Sequence, residues 1–143
     1  METIKKSSRS LKLLPVTFIA LAASLVANLV VLYFTKPLAP DFVPLSLPTV
    51  GVWTTLAVLV AGGVFGVIRM RSQNPGRTFM WVSVVVLLLS FIPDVMLFFV
   101  SVPGFVGITT GGILALMAMH VITAVIVVKL FLCFTKSPEK GHA

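Results

Sequence analysis

Carboxylates are scarce in this sequence, and so is most of what catalysis uses. Its 143 residues include four acids, two histidines and one cysteine. With Cys133 alone, no internal disulfide, Cys-x-x-Cys redox pair or thiolate metal cage can form. Two of the four acids lie near the termini, so paired-carboxylate catalysis lacks its parts. Gly-x-Ser-x-Gly, Walker, His-Glu-x-x-His and dinucleotide fingerprints are all missing. These absences point away from an enzyme, and neither a metal nor a cofactor is expected.

What the chain has instead is apolar length. Hydrophobic residues make up 58% and charged residues 10%, with a mean hydropathy of +1.12. A soluble domain of this size needs more polar surface. A helix needs about 20 apolar residues to cross the hydrocarbon core, at ~1.5 Å rise each. Four blocks meet that length, at about 13–34, 49–68, 78–100 and 108–134. Dyad alternation over ten-residue strands, the mark of a membrane β-barrel, is not seen. The expected fold is therefore all-α: one domain, a four-helix transmembrane bundle running up-down-up-down.

Basic residues exceed acids by 11 to 4, a net charge of +7, but they flank the apolar blocks. Nucleic acid is accordingly not the expected partner; the lipid bilayer is. Lys5, Lys6, Arg9 and Lys12 precede the first block, Arg69, Arg71 and Arg77 separate the second and third, and Lys136 and Lys140 follow the fourth. The other connections carry only Lys36 and Asp41. Excess positive charge stays on the cytoplasmic side, which places both termini and the middle loop there. Attraction to anionic headgroups is a second role for these bases. The first block is long for a signal-peptide core, so an uncleaved helix is expected.

The connection from Thr35 to Pro48 carries Pro37, Pro40, Pro44 and Pro48 beside Phe42, Val43, Leu45 and Leu47. It suits either a stiff polyproline-like linker, the favoured reading, or a segment folded over the bundle mouth. Asn74-Pro75-Gly76 predicts a tight turn that makes the second and third helices antiparallel neighbours.

Asp94 is the residue on which any chemistry would turn. An acid in lipid is costly and must turn toward protein or water. On the third helix Ser83, Ser90 and Asp94 share a face; on the first, Thr17, Ser24 and Asn28 repeat the seven-plus-four spacing. Both helices run outward in the expected topology, and Asn28 and Asp94 lie at similar depth, so the two stripes can face each other. Thr54 and Thr110 fall near that level. The prediction is an intramembrane polar cluster of Asn28, Ser90, Asp94, Thr54 and Thr110. Pro93, lacking an N–H, frees the carbonyl of Leu89 beside it. Such oxygens suit a proton or small cation, although interhelical hydrogen bonding or interfacial hydration explains Asp94 and Asn28 more simply.

His120 is placed near the bilayer midplane, on a face shared with Thr109, Gly112, Leu116 and Thr123. It is a packing residue or a possible ligand or relay; bis-histidine haem ligation would need a second buried histidine, and His142 lies in the tail. Gly62 and Gly66 form a Gly-x-x-x-Gly pair that lets another backbone approach, and Gly112 marks a similar packing edge. Whether that approach is within one chain or between chains is open. Cys133 is expected to pack at the end of the fourth helix.

Four stretches together resemble a known group: Ala27-Asn28-Leu29, Arg77-Thr78-Phe79, Leu88 through Asp94 (LLSFIPD), and Leu116 through Val121 (LMAMHV). They are similar to those of uncharacterised bacterial four-helix membrane proteins of the domain-of-unknown-function type, found mainly in actinobacteria and chloroflexi. The resemblance implies a bacterial inner membrane and a four-helix fold, and brings no activity. The leading functional expectation is a non-enzymatic subunit or scaffold, packing with other transmembrane helices in a homo-oligomer or larger membrane complex. The alternatives are a small proton- or cation-coupled conduit using Asp94 and, more remotely, a quinone- or haem-associated electron-transfer subunit using His120.

Overall fold

The computed structural model describes residues 13–99 and 106–135, and of Phe134 and Thr135 the backbone alone. The described residues form four long helices: α1 (Leu13–Thr35), α2 (Leu47–Arg71), α3 (Pro75–Met96) and α4 (Thr110–Thr135). No strand occurs among the described residues. Every helix is long and apolar enough to cross a membrane. The shortest, at 22 residues, spans roughly 33 Å against a hydrocarbon core of about 30 Å. The many valines and isoleucines do not oppose helix here. In lipid each backbone N–H and C=O must be bonded internally, and helix is the form that does so within one segment.

Helix starts follow local chemistry. Pro75 opens α3, where the N–H that proline lacks would have had no partner. The expected turn on Asn74-Pro75-Gly76 therefore moves back to Ser72–Asn74, where Ser72 and Thr78 hydroxyls pair at 2.9 Å. Pro48 does the same for α2, and its last turn carries Arg69 and Arg71, which suit the negative end of the helix dipole. Thr109 precedes α4. Its hydroxyl accepts the Gly112 N–H at 3.0 Å and donates to the Leu38 carbonyl at 3.1 Å. One side chain thus caps a helix and ties it to the first connection.

That connection is not a stiff linker. Two short 3-10 turns, Lys36–Leu38 and Val43–Leu45, fold it over the bundle end. Ala39, Phe42 and Leu45 are fully buried there, packed with Leu32, Val50, Ala115 and Met119. The Lys36 ammonium donates to the Leu45 carbonyl at 3.1 Å and closes the loop. The prolines set the turns, and the apolar residues between them find a core. Gly112 admits this cap, since a Cβ there would meet Phe42 Cδ1 at 2.8 Å and Ala39 Cβ at 3.0 Å. Gly112 is therefore a seat for the cap rather than a helix-packing edge. Gly107 adopts φ +73°, and a Cβ on it would come within 2.6 Å of the Asp41 carbonyl carbon.

The opposite end closes on aromatics. Phe65, Phe79 and Phe131, from α2, α3 and α4, have ring centroids 4.9 to 5.5 Å apart. Val16, Ala20, Val58 and Val127 complete this cluster. Helix α1 packs along α4 and α2; α3 packs on α4 and more briefly on α2. The third helix is the most peripheral, with 11% of its apolar stretch buried against 22–28% for the others. The expected continuation of the third helix to Val100 lies partly outside the described residues. Its helix ends at Met96, with Leu97–Phe99 in a turn. Pro103, Gly104, His142 and the terminal lysines also lie outside them.

Candidate functional site

Between the aromatic end and the capped end the core becomes polar. The buried face of α1 recurs at every fourth residue: Val16, Ala20, Ser24, Asn28 and Leu32. On α2 the facing stripe includes Val50, Thr54 and Val58. Asn28 sits where these stripes meet α4. Its amide nitrogen donates to the Thr54 hydroxyl and to the Thr123 hydroxyl, each at 2.9 Å. One side chain thereby joins α1, α2 and α4.

One turn away on α4, His120 reaches α3. Its Nδ1 is 2.8 Å from the Leu116 carbonyl and 3.3 Å from Asp94 Oδ2. Both neighbours are acceptors, so Nδ1 carries the proton. The short contact goes to the carbonyl, and Asp94 Oδ2 is left at ion-pair distance without a hydrogen bond. The carboxylate side chain is 8% exposed and the imidazole 41%, so the acid is inside and the ring at the margin. Two polar links result: Thr54, Asn28 and Thr123 tie α1, α2 and α4 together, and His120 with Asp94 ties α4 to α3.

Three buried oxygens in this region lack a hydrogen-bond partner: Ser24 Oγ, Asn28 Oδ1 and Asp94 Oδ2. Unpaired buried oxygens are costly in low dielectric, which makes these the chemically unsettled points of the core. Among the described residues no three of histidine, cysteine, aspartate or glutamate gather as a metal cage.

The structure rearranges the predicted cluster. Asn28 and Thr54 are together as expected, but Asn28 takes Thr123 as its second partner, and Asp94 pairs with His120. The stripes on α1 and α3 do not face each other, because α1 is packed between α2 and α4. Ser90 donates to the Leu87 carbonyl of its own helix at 2.7 Å and leaves the cluster. Thr110 is exposed at the start of α4, while its neighbour Thr109 does the capping. The 3.3 Å contact makes His120 level with Asp94 rather than deeper, so α4 begins well beyond the level at which α3 ends, two residues after Asp94. Gly62 and Gly66 admit α1: Cβ atoms there would meet Thr17 Oγ1 at 2.9 Å and Leu13 Cδ2 at 3.1 Å. That glycine pair is used within the chain.

Arg69 lies 6.0 Å over the Phe65 ring, and Arg71 and Arg77 are exposed at the same end. Cys133 is exposed rather than packed. Lys129, an exposed base inside the apolar run of α4, is absent from the sequence-based site. A single charge within VIVVKLFL was the signal for it.

The chain belongs to the DUF6069 family, a family of unknown function, which matches residues 5–135. No curated protein and no solved structure matches it.

Proposed function

Because the family brings no activity with it, we propose from geometry that the protein is a non-enzymatic subunit or scaffold of a membrane complex. It crosses a bacterial inner membrane four times, up-down-up-down, with both termini cytoplasmic. The observation that carries this reading is the division of labour among the helices. The buried polar groups and the glycine pair hold the four helices to one another, while α3 turns a broad apolar face outward. Val84, Val85, Val86, Leu88, Leu89 and Ile92 on that face are all exposed. Such a face suits lipid or a partner's helices, including those of a second copy. Mass measurement in a native detergent extract is the test: a defined complex is expected, and a strictly monomeric species with nothing co-purifying overturns the reading.

A second reading is favoured by one specific contact. Asp94 Oδ2 is buried, lacks a hydrogen bond and stands 3.3 Å from an imidazole. A carboxylate beside a histidine can hand a proton along, and intramembrane acids often mark such paths. On this reading the protein is a small proton- or cation-coupled conduit, with Asp94 and His120 as the relay and Asn28 beside it. In reconstituted vesicles Asp94→Asn should abolish pH-dependent flux. Unchanged flux removes Asp94 from the mechanism. The remote haem alternative at His120 ends if protein from native membranes shows no Soret band.

A further inference from the structure

A shallow groove runs between α3 and α4 on the outside of the bundle, below the Asp94–His120 contact. Met80, Val84 and Leu87 form its α3 wall; Ala124, Val125 and Val128 form its α4 wall. Ser83 lies along it, and Lys129 stands in the lining at the end nearest the aromatic cluster. Phe79 and Phe131, adjacent in sequence to Met80 and near Lys129, fix that level. Arg77 is exposed one turn before Met80 on the same face of α3, where positions 77, 80, 84 and 87 align. Thus an apolar trough ends at Lys129, with Arg77 exposed one turn before its Met80 wall.

Lys129 has no counter-charge among the described residues. Their carboxylates are Asp41 and Asp94. Asp94 lies against His120, nine positions earlier on α4, and Asp41 packs against Gly107 at the other end of the bundle. A lysine within an apolar helix extends its stem along the hydrocarbon and lifts its ammonium toward the headgroups. We propose that this groove is a binding site for one anionic glycerophospholipid. An acyl chain lies along Met80, Val84, Leu87, Ala124 and Val128, and the phosphodiester meets the Lys129 ammonium with Arg77 at the mouth. A protein helix is the poorer occupant, because it would cover Lys129 and must supply its own acid at that level. The lipid brings chain and charge in the right order. This inference rests on the membrane-spanning helices and shares only Val84 with the outward α3 face described above.

Native mass spectrometry of the full chain in detergent, titrated with phosphatidylglycerol or phosphatidylcholine, tests it. Wild type should retain phosphatidylglycerol in preference. Each basic residue near the surface contributes enough that Lys129→Gln should weaken phosphatidylglycerol binding about fivefold and leave phosphatidylcholine unchanged. Lys129→Arg should restore it. Ala124→Trp, which fills the trough, should weaken both lipids. Because Arg77 and Lys129 are exposed, Arg77→Gln provides a second charge-removing variant that does not disturb the core, and it should weaken phosphatidylglycerol binding in the same direction. The site is overturned if Lys129→Gln and Ala124→Trp both bind phosphatidylglycerol as wild type does. It is equally overturned if a photoreactive group at Val125 crosslinks to protein in native membranes and never to lipid.

Discussion

At the level of single residues, Asn28 carries more of the structure than Asp94. It makes two hydrogen bonds between the long helices, to Thr54 and to Thr123, and it is 3% exposed. Hydrogen bonds between membrane helices average about 0.6 kcal/mol, because the separated helices also find partners. With two such bonds lost, Asn28→Ala should lower stability by about 1–2 kcal/mol, measured by detergent-driven unfolding or steric trapping. Asn28→Leu should cost less, since it loses the same two bonds but leaves no cavity. Asp94→Asn keeps the shape and an acceptor facing His120 Nδ1, so a stability change below about 1 kcal/mol is expected. A loss of flux in that variant would then report chemistry and not folding. An acid in lipid was visible in the sequence as a residue needing company. Which company was not, because the spacing put Asn28 at the depth of Asp94 and His120 nearer the midplane, and the choice depends on how the helices pack around one another.

Among the elements, the helices were legible, and of their packing the contact of α2 with α3 and of Asn28 with Thr54 was, while the pairing of α1 with α3 was not. Hydrocarbon thickness sets helix length, so four apolar blocks became four helices within a few residues. The seven-plus-four spacing on α1 and α3 was real, but α1 turned its stripe to α2 and α4. The glycine pair shows why. Gly62 lets the Thr17 side chain of α1 seat so close that an added methyl would come within 2.9 Å of its hydroxyl oxygen. Gly62→Val should cost about 1–3 kcal/mol by forcing α1 outward. Gly63, where an added methyl would meet nothing within 4 Å, is the control. Gly63→Ala should stabilise by about 0.5–1 kcal/mol through helix propensity alone. The proline-rich connection misled for another reason. Four prolines describe a chain that cannot be helical, but say nothing of whether the apolar residues between them are covered. Phe42 is fully buried, and Phe42→Ala should cost about 3 kcal/mol and make the connection a site of protease cleavage. Gly107→Ala should act in the same direction, because φ +73° disfavours a side chain and the Asp41 backbone leaves no room.

For the whole molecule, the distribution of bases orients the proposed topology, and Cys133 offers a direct reading of it. This exposed cysteine lies near the end of α4. In intact cells a membrane-impermeant maleimide should fail to label it, and labelling should appear after the membrane is opened. Labelling of intact cells would invert the topology. The order of packing has its own consequence for biogenesis. The broadest neighbour of α1 is α4, which leaves the ribosome after the other three described helices. Until it arrives, Asn28 lacks its Thr123 partner, and the small-residue face of the first helix is shielded on one flank only. A nascent chain stalled before Thr110 would be an open-sided, half-solvated intermediate, the kind of substrate that membrane insertases hold and quality-control proteases remove.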